Sequence, residues 1–384
     1  MASNTFKEPK YGLSLTGKLS LVMYLAFLVV PNALVNTARS VFTALRRGVP
    51  VRMYITAAVL GASLGGLTPR QLQYVTNTSI HAYRAWMKSM VAKAQKRGQT
   101  NLLASLQSEI QPLPDGRSSI LWMGNRKTAT KFVLFFHGGG YVAPLLEGHL
   151  EWCWRVFVQP FVGTQNEVAV AILDYTLCPD AQFPTQLKQA VAAMEALSGT
   201  GIKPQQILIG GDSAGGNLTA HLLHHIAHPD SGSDSGVTPL HIAEPLLGAF
   251  LVSPWISADV SQRSFVENHG IDMLTAKHIT DASRSFYGAG IYKTDMLQEA
   301  YAVFDGMESV VSDVLVTAGQ QEVLRDQAVI LVDRLRNLNP NLKTKFEVAN
   351  DEGHDFILLE GGDRWTGPAM ERMRAWATEL IQGA

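Results

Sequence analysis

The stretch Ile207-Leu208-Ile209-Gly210-Gly211-Asp212-Ser213-Ala214-Gly215-Gly216-Asn217-Leu218 decides the fold. An apolar β-type run ends in glycines, a single serine follows, and a helix-compatible stretch at 218–227 begins at once. The pattern Gly211-x-Ser213-x-Gly215 is typical of a sharp turn between strand and helix, because small residues on either side leave the serine Oγ exposed. The N-terminus of the following helix favours a developing negative charge at this point. The sequence therefore predicts that Ser213 is a nucleophile.

A second glycine-rich motif lies upstream, where Phe135-Phe136-His137-Gly138-Gly139-Gly140-Tyr141 ends the apolar run 132–136. Three consecutive glycines after a strand allow backbone amides to point into a cavity. A flexible connector would also contain glycines, but it has no need of a histidine and an aromatic residue at its two ends. Together the two motifs indicate a catalytic site much more specifically than either does alone.

Composition excludes several classes of function. The chain has 384 residues, 46% of them hydrophobic, and a formal net charge of −1. It can therefore bury a large core, and one α/β domain with an additional helical portion fits its length. No basic block exceeds the pair Arg46-Arg47, so nucleic acid is not an expected partner. Cys153 and Cys178 are too few for a disulfide framework and wrongly spaced for a zinc site.

The N-terminal segment 1–50 contains a long apolar run without charged residues at 19–38. About 20 apolar residues span a bilayer core, although Pro31 interrupts this run. A membrane anchor, a signal peptide and a lid helix are the three interpretations. We favour a membrane-associated helix over a lid helix, and both over a cleaved signal, because only Lys18 directly precedes the run and no small-residue cleavage site follows. A membrane location, the endoplasmic reticulum included, is then expected, with the cytoplasm as the alternative.

From residue 120 onward the pattern alternates between strands and helices. Strands are predicted at 120–123, 132–136, 168–173, 206–209, 247–253, 314–317 and 345–348, and helices at 146–157, 185–197, 328–338 and 368–381. Such alternation specifies a mainly parallel sheet covered by helices on both faces. Before it, residues 68–97 have a helical pattern and 98–116 read as a connector. A solvated insertion is expected at 229–236, and the polar and aromatic segment 254–296 is expected to form a lid.

A serine nucleophile needs a general base, and the base needs an orienting carboxylate. Among the histidines that follow Ser213, only His354 lies in a short glycine-containing loop directly after the last predicted strand, which makes it the candidate base. Four further histidines have helical spacing and could suggest a metal site: His221, His224, His225 and His228. Because no carboxylate lies among them, a partly solvated helix face is the favoured interpretation, and no metal is expected.

Two carboxylates compete for the role of the acid in the loop after the strand 314–317. Glu322 precedes the next helix, where a loop carboxylate can reach His354. Asp326 suits the first turn of that helix as a capping residue. Glu322 is therefore the favoured acid and Asp326 the alternative.

These motifs together resemble the hormone-sensitive-lipase-like branch of the α/β-hydrolases. The matching stretches are His137-Gly138-Gly139-Gly140, Gly211-Asp212-Ser213-Ala214-Gly215-Gly216-Asn217, Glu322-Val323-Leu324-Arg325-Asp326 and His354-Asp355-Phe356, with Asp174-Tyr175, Cys178-Pro179-Asp180 and Phe183-Pro184 as further matches. The resemblance covers about residues 115–382. Many members of this branch have aspartate followed by proline in the acid motif, where this chain has Glu322-Val323.

The resemblance implies an α/β-hydrolase fold, with an eight-stranded, mostly parallel sheet flanked by helices and a helical cap. It implies hydrolysis of carboxylic esters without metal or organic cofactor. Carried over residue by residue, Ser213 is the nucleophile, Glu322 the acid and His354 the base. The oxyanion hole falls on the backbone N–H groups of Gly138, Gly139 and Ala214.

The resemblance also implies a division of the chain. Residues 51–114 are expected to contribute helices to the cap, 115–254 and 301–384 to form the two parts of the catalytic core, and 255–300 to form the cap insertion. The expected function is that of a serine carboxylesterase acting on a hydrophobic small-molecule ester in lipid or secondary-metabolite metabolism, similar to fungal membrane-associated esterases. An acyltransferase, lactonase or thioesterase using the same triad is one alternative. A non-catalytic ligand-binding receptor is another, and the presence of His354 argues against it.

Overall fold

The computed structural model describes residues 11–229, 236–288 and 304–383. Its centre is an eight-stranded sheet in the order β1-β2-β4-β3-β5-β6-β7-β8. The strands are β1 Glu109–Pro112, β2 Ser119–Met123, β3 Lys131–Phe136, β4 Val168–Asp174, β5 Ile207–Asp212, β6 Gly248–Val252, β7 Asp313–Gly319 and β8 Lys343–Ala349. Only the pairings β1–β2 and β2–β4 are antiparallel, so the predicted mostly parallel sheet is confirmed.

Helices connect the strands and cover both faces of the sheet. They are α1 Leu15–Arg47, α2 Val51–Leu64, α3 Pro69–Val75, α4 Ser79–Lys96, α5 Glu147–Trp152, α6 Thr185–Ser198, α7 Ala214–Ala227, α8 Arg263–Asn268, α9 Ala276–Tyr287, α10 Arg325–Leu338, α11 Phe356–Gly362 and α12 Pro368–Gln382. In β3, Leu134 and Phe136 pack into one apolar core and Val133 and Phe135 into the other. This alternation of buried side chains explains why the strand reads as a continuous apolar run.

One predicted segment is wrong. The segment 98–116, predicted as a connector, contains the edge strand β1 and a 3-10 turn at Thr100–Leu106. The helices predicted at 68–97 are α3 and α4, and α4 begins where the Thr78 side chain accepts the N–H of His81. Helix α11 follows the last strand and was not predicted.

The N-terminal region differs from the expectation that Pro31 interrupts the apolar run. Helix α1 continues through Pro31 and reaches Arg47, with one wider π-type turn at Leu25–Val29. Proline lacks an N–H and crowds the carbonyl four residues before it, so a widened turn ahead of Pro31 accommodates the ring. Helix α2 packs against the second half of α1 in a third apolar core that includes Ala44 and Tyr54.

Two expected surface segments are described only in part. In the segment 255–300, α8 and α9 are helical, and residues 289–300 lie outside the described residues. Most of the expected insertion 229–236 also lies outside them.

The carboxyl ends of β3, β5, β7 and β8 meet at one edge of the sheet, because these strands are parallel. The loops at this edge carry the candidate catalytic side chains.

Candidate active site

Ser213 lies on a strained turn between β5 and α7. Its φ is 48°, a left-handed conformation that costs a non-glycine residue about 1–3 kcal/mol. A Cβ added at Gly211 would lie 1.9 Å from the Phe136 carbonyl oxygen, and one added at Gly215 would lie 1.8 Å from the same atom. Glycine is therefore required on both sides of the serine, as the sequence pattern indicated. The turn places the Ser213 side chain at the carboxyl edge of the sheet.

His354 lies next to the serine, in the loop between β8 and α11. Its Nε2 is 3.1 Å from Ser213 Oγ, which is hydrogen-bonding distance. Both side chains are buried, with 3% of His354 and 7% of Ser213 exposed. The two residues are 141 positions apart in the chain, and the parallel sheet brings them together. This arrangement allows the imidazole to take the hydroxyl proton.

Glu322 lies on the other side of the imidazole. Its Oε2 is 3.5 Å from His354 Nδ1, in a site where the Glu322 side chain has no exposure. That distance is longer than an ordinary hydrogen bond, as is common in active sites without substrate. Asp326 is engaged elsewhere, because its Oδ2 accepts the N–H of Ser264 at 2.8 Å. Of the two competing carboxylates, the structure therefore brings Glu322 and not Asp326 to the histidine.

A third carboxylate contacts the imidazole and was not singled out from the sequence. Asp355 Oδ2 lies 3.0 Å from His354 Nε2, the same nitrogen that faces Ser213. Burial raises the pKa of Asp355 to about 7, against the opposing effect of His354. Burial lowers the pKa of His354, but Asp355 and Glu322 raise it more, so that it lies well above its ordinary value. The position of Asp355 directly after His354 was the one signal in the sequence that could have indicated this contact.

One of the three amides expected in the oxyanion hole has a partner within the protein. The N–H of Gly138 donates to Asp212 Oδ1 at 3.1 Å, so this amide is engaged within the protein. A Cβ at Gly138 would lie 2.1 Å from Asp212 Oδ2, which explains the need for glycine there. Gly139 and Gly140 both have positive φ, 98° and 60°, and turn the loop beyond this contact. The amides of Gly139 and Ala214 stay candidates, and Gly140 carries the next amide along the loop.

Asp212 connects the nucleophile turn to the glycine loop. Its Oδ2 lies 3.2 Å from Nε2 of His149, and both side chains are buried. Burial raises the pKa of Asp212, but His149 and the Gly138 amide outweigh it, so the pKa is lowered and the carboxylate stays charged. On the far side of the loop, the Tyr175 hydroxyl donates to the carbonyl of His137 at 2.7 Å. These contacts fix the loop against the serine turn.

Helix α9 lies over the same loop. The rings of Tyr141 and Phe286 are stacked with centroids 3.8 Å apart. A Cβ at Gly140 would meet the Cβ of Ala282 at 3.4 Å. The Tyr141 hydroxyl also donates to Asn217 Oδ1 of α7 at 2.8 Å. Helix α9 therefore presents aromatic and aliphatic side chains beside the candidate oxyanion hole.

The N-terminal helices hold the loops that carry the acid and the base. Arg47, at the end of α1, donates to Asn268 Oδ1 at 2.8 Å and to Gln321 Oε1. Asn268 in turn donates to the carbonyl of Glu322 at 2.8 Å. From α2, the Tyr54 hydroxyl donates to the carbonyl of Asp351 at 2.9 Å. Sequence reasoning missed the contacts of Arg47 and Tyr54 because each joins parts of the chain more than two hundred residues apart.

The histidines on α7 have separate partners. His221 Nε2 lies 3.2 Å from the Tyr287 hydroxyl, and His225 Nε2 lies 2.8 Å from the carbonyl of Thr238. Within residues 11–229, 236–288 and 304–383, no three His, Cys, Asp or Glu side chains are grouped so as to hold a metal ion.

Comparison with known proteins places the chain in a family. The family described as alpha/beta hydrolase fold matches residues 133–358. Lipase 2 of Moraxella sp. is 34% identical over 108 residues, 27% of this chain and 24% of that protein. An esterase of Acinetobacter venetianus is 25% identical over 257 residues, 66% of this chain and 76% of that protein. The chain thus spans about a quarter of the first relative and three quarters of the second.

A solved structure agrees in fold. An esterase from the bacterial hormone-sensitive lipase family has a TM-score of 0.55 at 22% identity, over 80% of this chain and 99% of that one. The residues matched by the family include the glycine loop, the serine turn, the Glu322 loop and the His354 loop. The chain therefore belongs to the alpha/beta hydrolase fold family.

Proposed function

We propose that the protein is a serine carboxylesterase of the hormone-sensitive-lipase-like branch, which hydrolyses an ester of a hydrophobic small molecule. The observation that carries this proposal is the 3.1 Å contact between Ser213 Oγ, on its strained turn, and His354 Nε2. Relatives named as an esterase and a lipase support an ester as the substrate. The aromatic side chains of the cap beside the glycine loop support a hydrophobic one.

The reaction proceeds in two halves. Ser213 Oγ attacks the ester carbonyl carbon while its proton passes to His354 Nε2, and Glu322 stabilises the imidazolium. The carbonyl oxygen becomes an oxyanion held by the amides of Gly139, Gly140 and Ala214. The carbon–oxygen bond to the alcohol then breaks, and His354 returns its proton to the departing alcohol. This leaves an acyl group on Ser213.

Water completes the cycle. His354 takes a proton from a water molecule, whose oxygen attacks the acyl carbon, and the bond to Ser213 Oγ breaks as the proton returns to that oxygen. The carboxylic acid leaves and the enzyme is restored. Every proton and electron pair in this scheme is accounted for by the ester, the water and the side chains of this chain.

A series of p-nitrophenyl esters of increasing acyl length tests the proposal. The wild-type chain is expected to hydrolyse them, and Ser213→Ala to lose turnover at every length. Ser198→Ala, a serine at the end of α6, is the matched control and should keep wild-type rates. Product analysis with water against alcohol acceptors separates hydrolysis from acyl transfer. Absence of turnover by a folded wild-type chain would instead favour the ligand-binding receptor.

We also infer that the N-terminal region associates with a membrane, as its apolar run 19–38 suggested. In the described part of the chain, Leu15–Arg47 is the one helix long and apolar enough to cross a bilayer by length and composition. A membrane location suits a lipophilic ester, because such a substrate concentrates in the bilayer.

A further inference from the structure

Helix α1 exposes its large apolar side chains, whereas an ordinary surface helix buries them. In its second half, Asn32, Asn36, Arg39 and Ser40 line a cavity of about 260 Å³. Ser40 is buried and Asn36 half-buried, whereas Asn32 and Arg39 are exposed. Its large apolar side chains face outward, and more than half of each is exposed: Leu34, Val35, Phe42 and Leu45. A surface helix in water normally buries its apolar stripe. The outward face of α1 therefore fits an apolar environment.

The first half of the helix is exposed on most of its sides, and it too carries apolar side chains. Its exposed side chains include Leu15, Leu19, Val22, Met23, Phe27, Leu28 and Val30, and α2 adds Ile55 and Val59. So many exposed large apolar side chains on two neighbouring helices mark an interaction site.

Contacts along the whole inner side tie α1 to the rest of the protein. Near its start, Gln71 Nε2 donates to the carbonyl of Gly17 at 3.4 Å. In its middle, the Tyr24 hydroxyl donates to the carbonyl of Ala62 at 3.1 Å. At its end, Arg47 bonds to Asn268. A helix that crossed a bilayer perpendicularly would have to break most of these contacts, whereas a helix lying in the membrane plane keeps all of them.

The charge of this region identifies the kind of membrane. Between residues 9 and 108 the sequence contains twelve Lys and Arg residues and no Asp or Glu, although the whole chain has a net charge of −1. Lys18, Arg46 and Arg52 are exposed on or beside the two helices. Basic residues beside an apolar helix face are attracted to anionic lipid headgroups.

We propose that the outer apolar face of α1 and α2 seats the protein in one leaflet of an anionic bilayer, with α1 lying in the membrane plane. The polar residues of α1 that line the cavity then stay on the side of the helix that faces the rest of the protein. One lining residue, Asp272, accepts the N–H of Val323 at 2.6 Å through Oδ2. The same helices carry Arg47 and Tyr54, so the docking surface and the supports of the acid and base loops form one structural unit.

Vesicle flotation of the full chain tests the docking. The probes are phosphatidylcholine vesicles with and without phosphatidylserine. The wild type should float with the anionic vesicles, and less at high salt because exposed charges are then screened. The double variant Phe42→Ser and Leu45→Ser should reduce the bound fraction at least about tenfold, since both large apolar side chains lose their lipid contacts. The double variant Ile330→Ser and Leu338→Ser on α10, also exposed apolar positions, should bind like the wild type.

Thiol labelling of vesicle-bound protein tests the in-plane orientation. Cys153 and Cys178 are buried, so a cysteine introduced at Thr16 or Arg46 reacts selectively with a membrane-impermeant maleimide. Both positions should label without detergent, because both ends of α1 lie on the same side of the membrane. Labelling of one position only after detergent is added would show that the helix spans and would overturn the proposal.

Two further results would overturn the docking itself. One is equal flotation of the wild type and the α1 double variant, with unfolding temperatures that confirm both are folded. The other is a wild type that binds no vesicle but forms an oligomer that the α1 variant dissolves, because the apolar face would then be a protein interface.

Discussion

His354 Nε2 lies 3.0 Å from a carboxylate oxygen of Asp355, the residue that follows it in the chain. Ser213 Oγ approaches the same nitrogen at 3.1 Å. A single nitrogen thus faces both the candidate nucleophile and a buried carboxylate. Because a nearby negative charge favours imidazolium over imidazole, Asp355 makes His354 harder to deprotonate.

Asp355→Asn should therefore move the pH profile. The base must be neutral to accept the Ser213 proton, so activity rises as pH increases through the His354 pKa. The Asp355 carboxylate raises that pKa, and its removal should shift the acidic limb of kcat/KM to lower pH. The measurement is kcat/KM for a p-nitrophenyl ester across pH. Asp351→Asn in the same loop serves as the control, and an unshifted limb in Asp355→Asn would contradict the role.

Glu322→Gln should lose about four orders of magnitude in kcat, because the amide cannot stabilise the imidazolium that forms during attack. Asp326→Asn should keep activity within about tenfold. Its side chain bonds to Ser264 and Arg325, so its loss is expected to cost about 1 kcal/mol of stability. Steady-state kinetics and thermal unfolding of both variants check this. A larger kinetic loss in the aspartate variant would reverse the assignment of the acid.

Asp212→Ala should lower kcat about 10²- to 10³-fold with little change in KM. The carboxylate anchors the Gly138 amide, and a displaced glycine loop would lose transition-state hydrogen bonds from its neighbours. The variant also leaves His149 without its buried partner. Circular dichroism should show that the variant is folded. Near-normal kcat would mean that the loop is held without Asp212.

Arg47→Met should lower kcat by about tenfold, because small misplacements of catalytic groups are costly and Arg47 holds the loop that precedes Glu322. Arg46→Met is the matched control, since the two arginines are neighbours and Arg46 is exposed. Comparing kcat and KM of the two variants on a soluble ester separates this effect from membrane binding. Equal rates would show that the loop does not depend on Arg47.

Much of the sheet could be predicted from the sequence, because strands buried on both faces are continuous apolar runs. Strand β1 was missed because it is not an apolar run. Glu109-Ile110-Gln111-Pro112 is a short edge strand that pairs only with β2 and is largely accessible. The continuation of α1 through Pro31 was also missed. A proline suggests an interruption, and the widened turn that accommodates it leaves no pattern in the sequence.

Some features of the candidate site could likewise be predicted from the sequence, and others could not. The motif around Ser213 is local, and its glycines are required by contacts within one turn, so the sequence could indicate it. The choice between Glu322 and Asp326 depends on which way two side chains four residues apart point, which spacing alone does not determine. The hydrogen bond from the Gly138 N–H to Asp212 joins the loop after β3 to the end of β5. Such long-range contacts are set by packing and could not be predicted from either motif.

Mass spectrometry of the chain after reaction with a fluorophosphonate tests whether Ser213 is the nucleophile. We predict one covalent adduct, located on the peptide that contains Ser213, with loss of ester turnover in proportion to labelling. Ser213→Ala should remain folded and unlabelled. An adduct on another residue, or full labelling of the alanine variant, would contradict the assignment of Ser213 as the nucleophile.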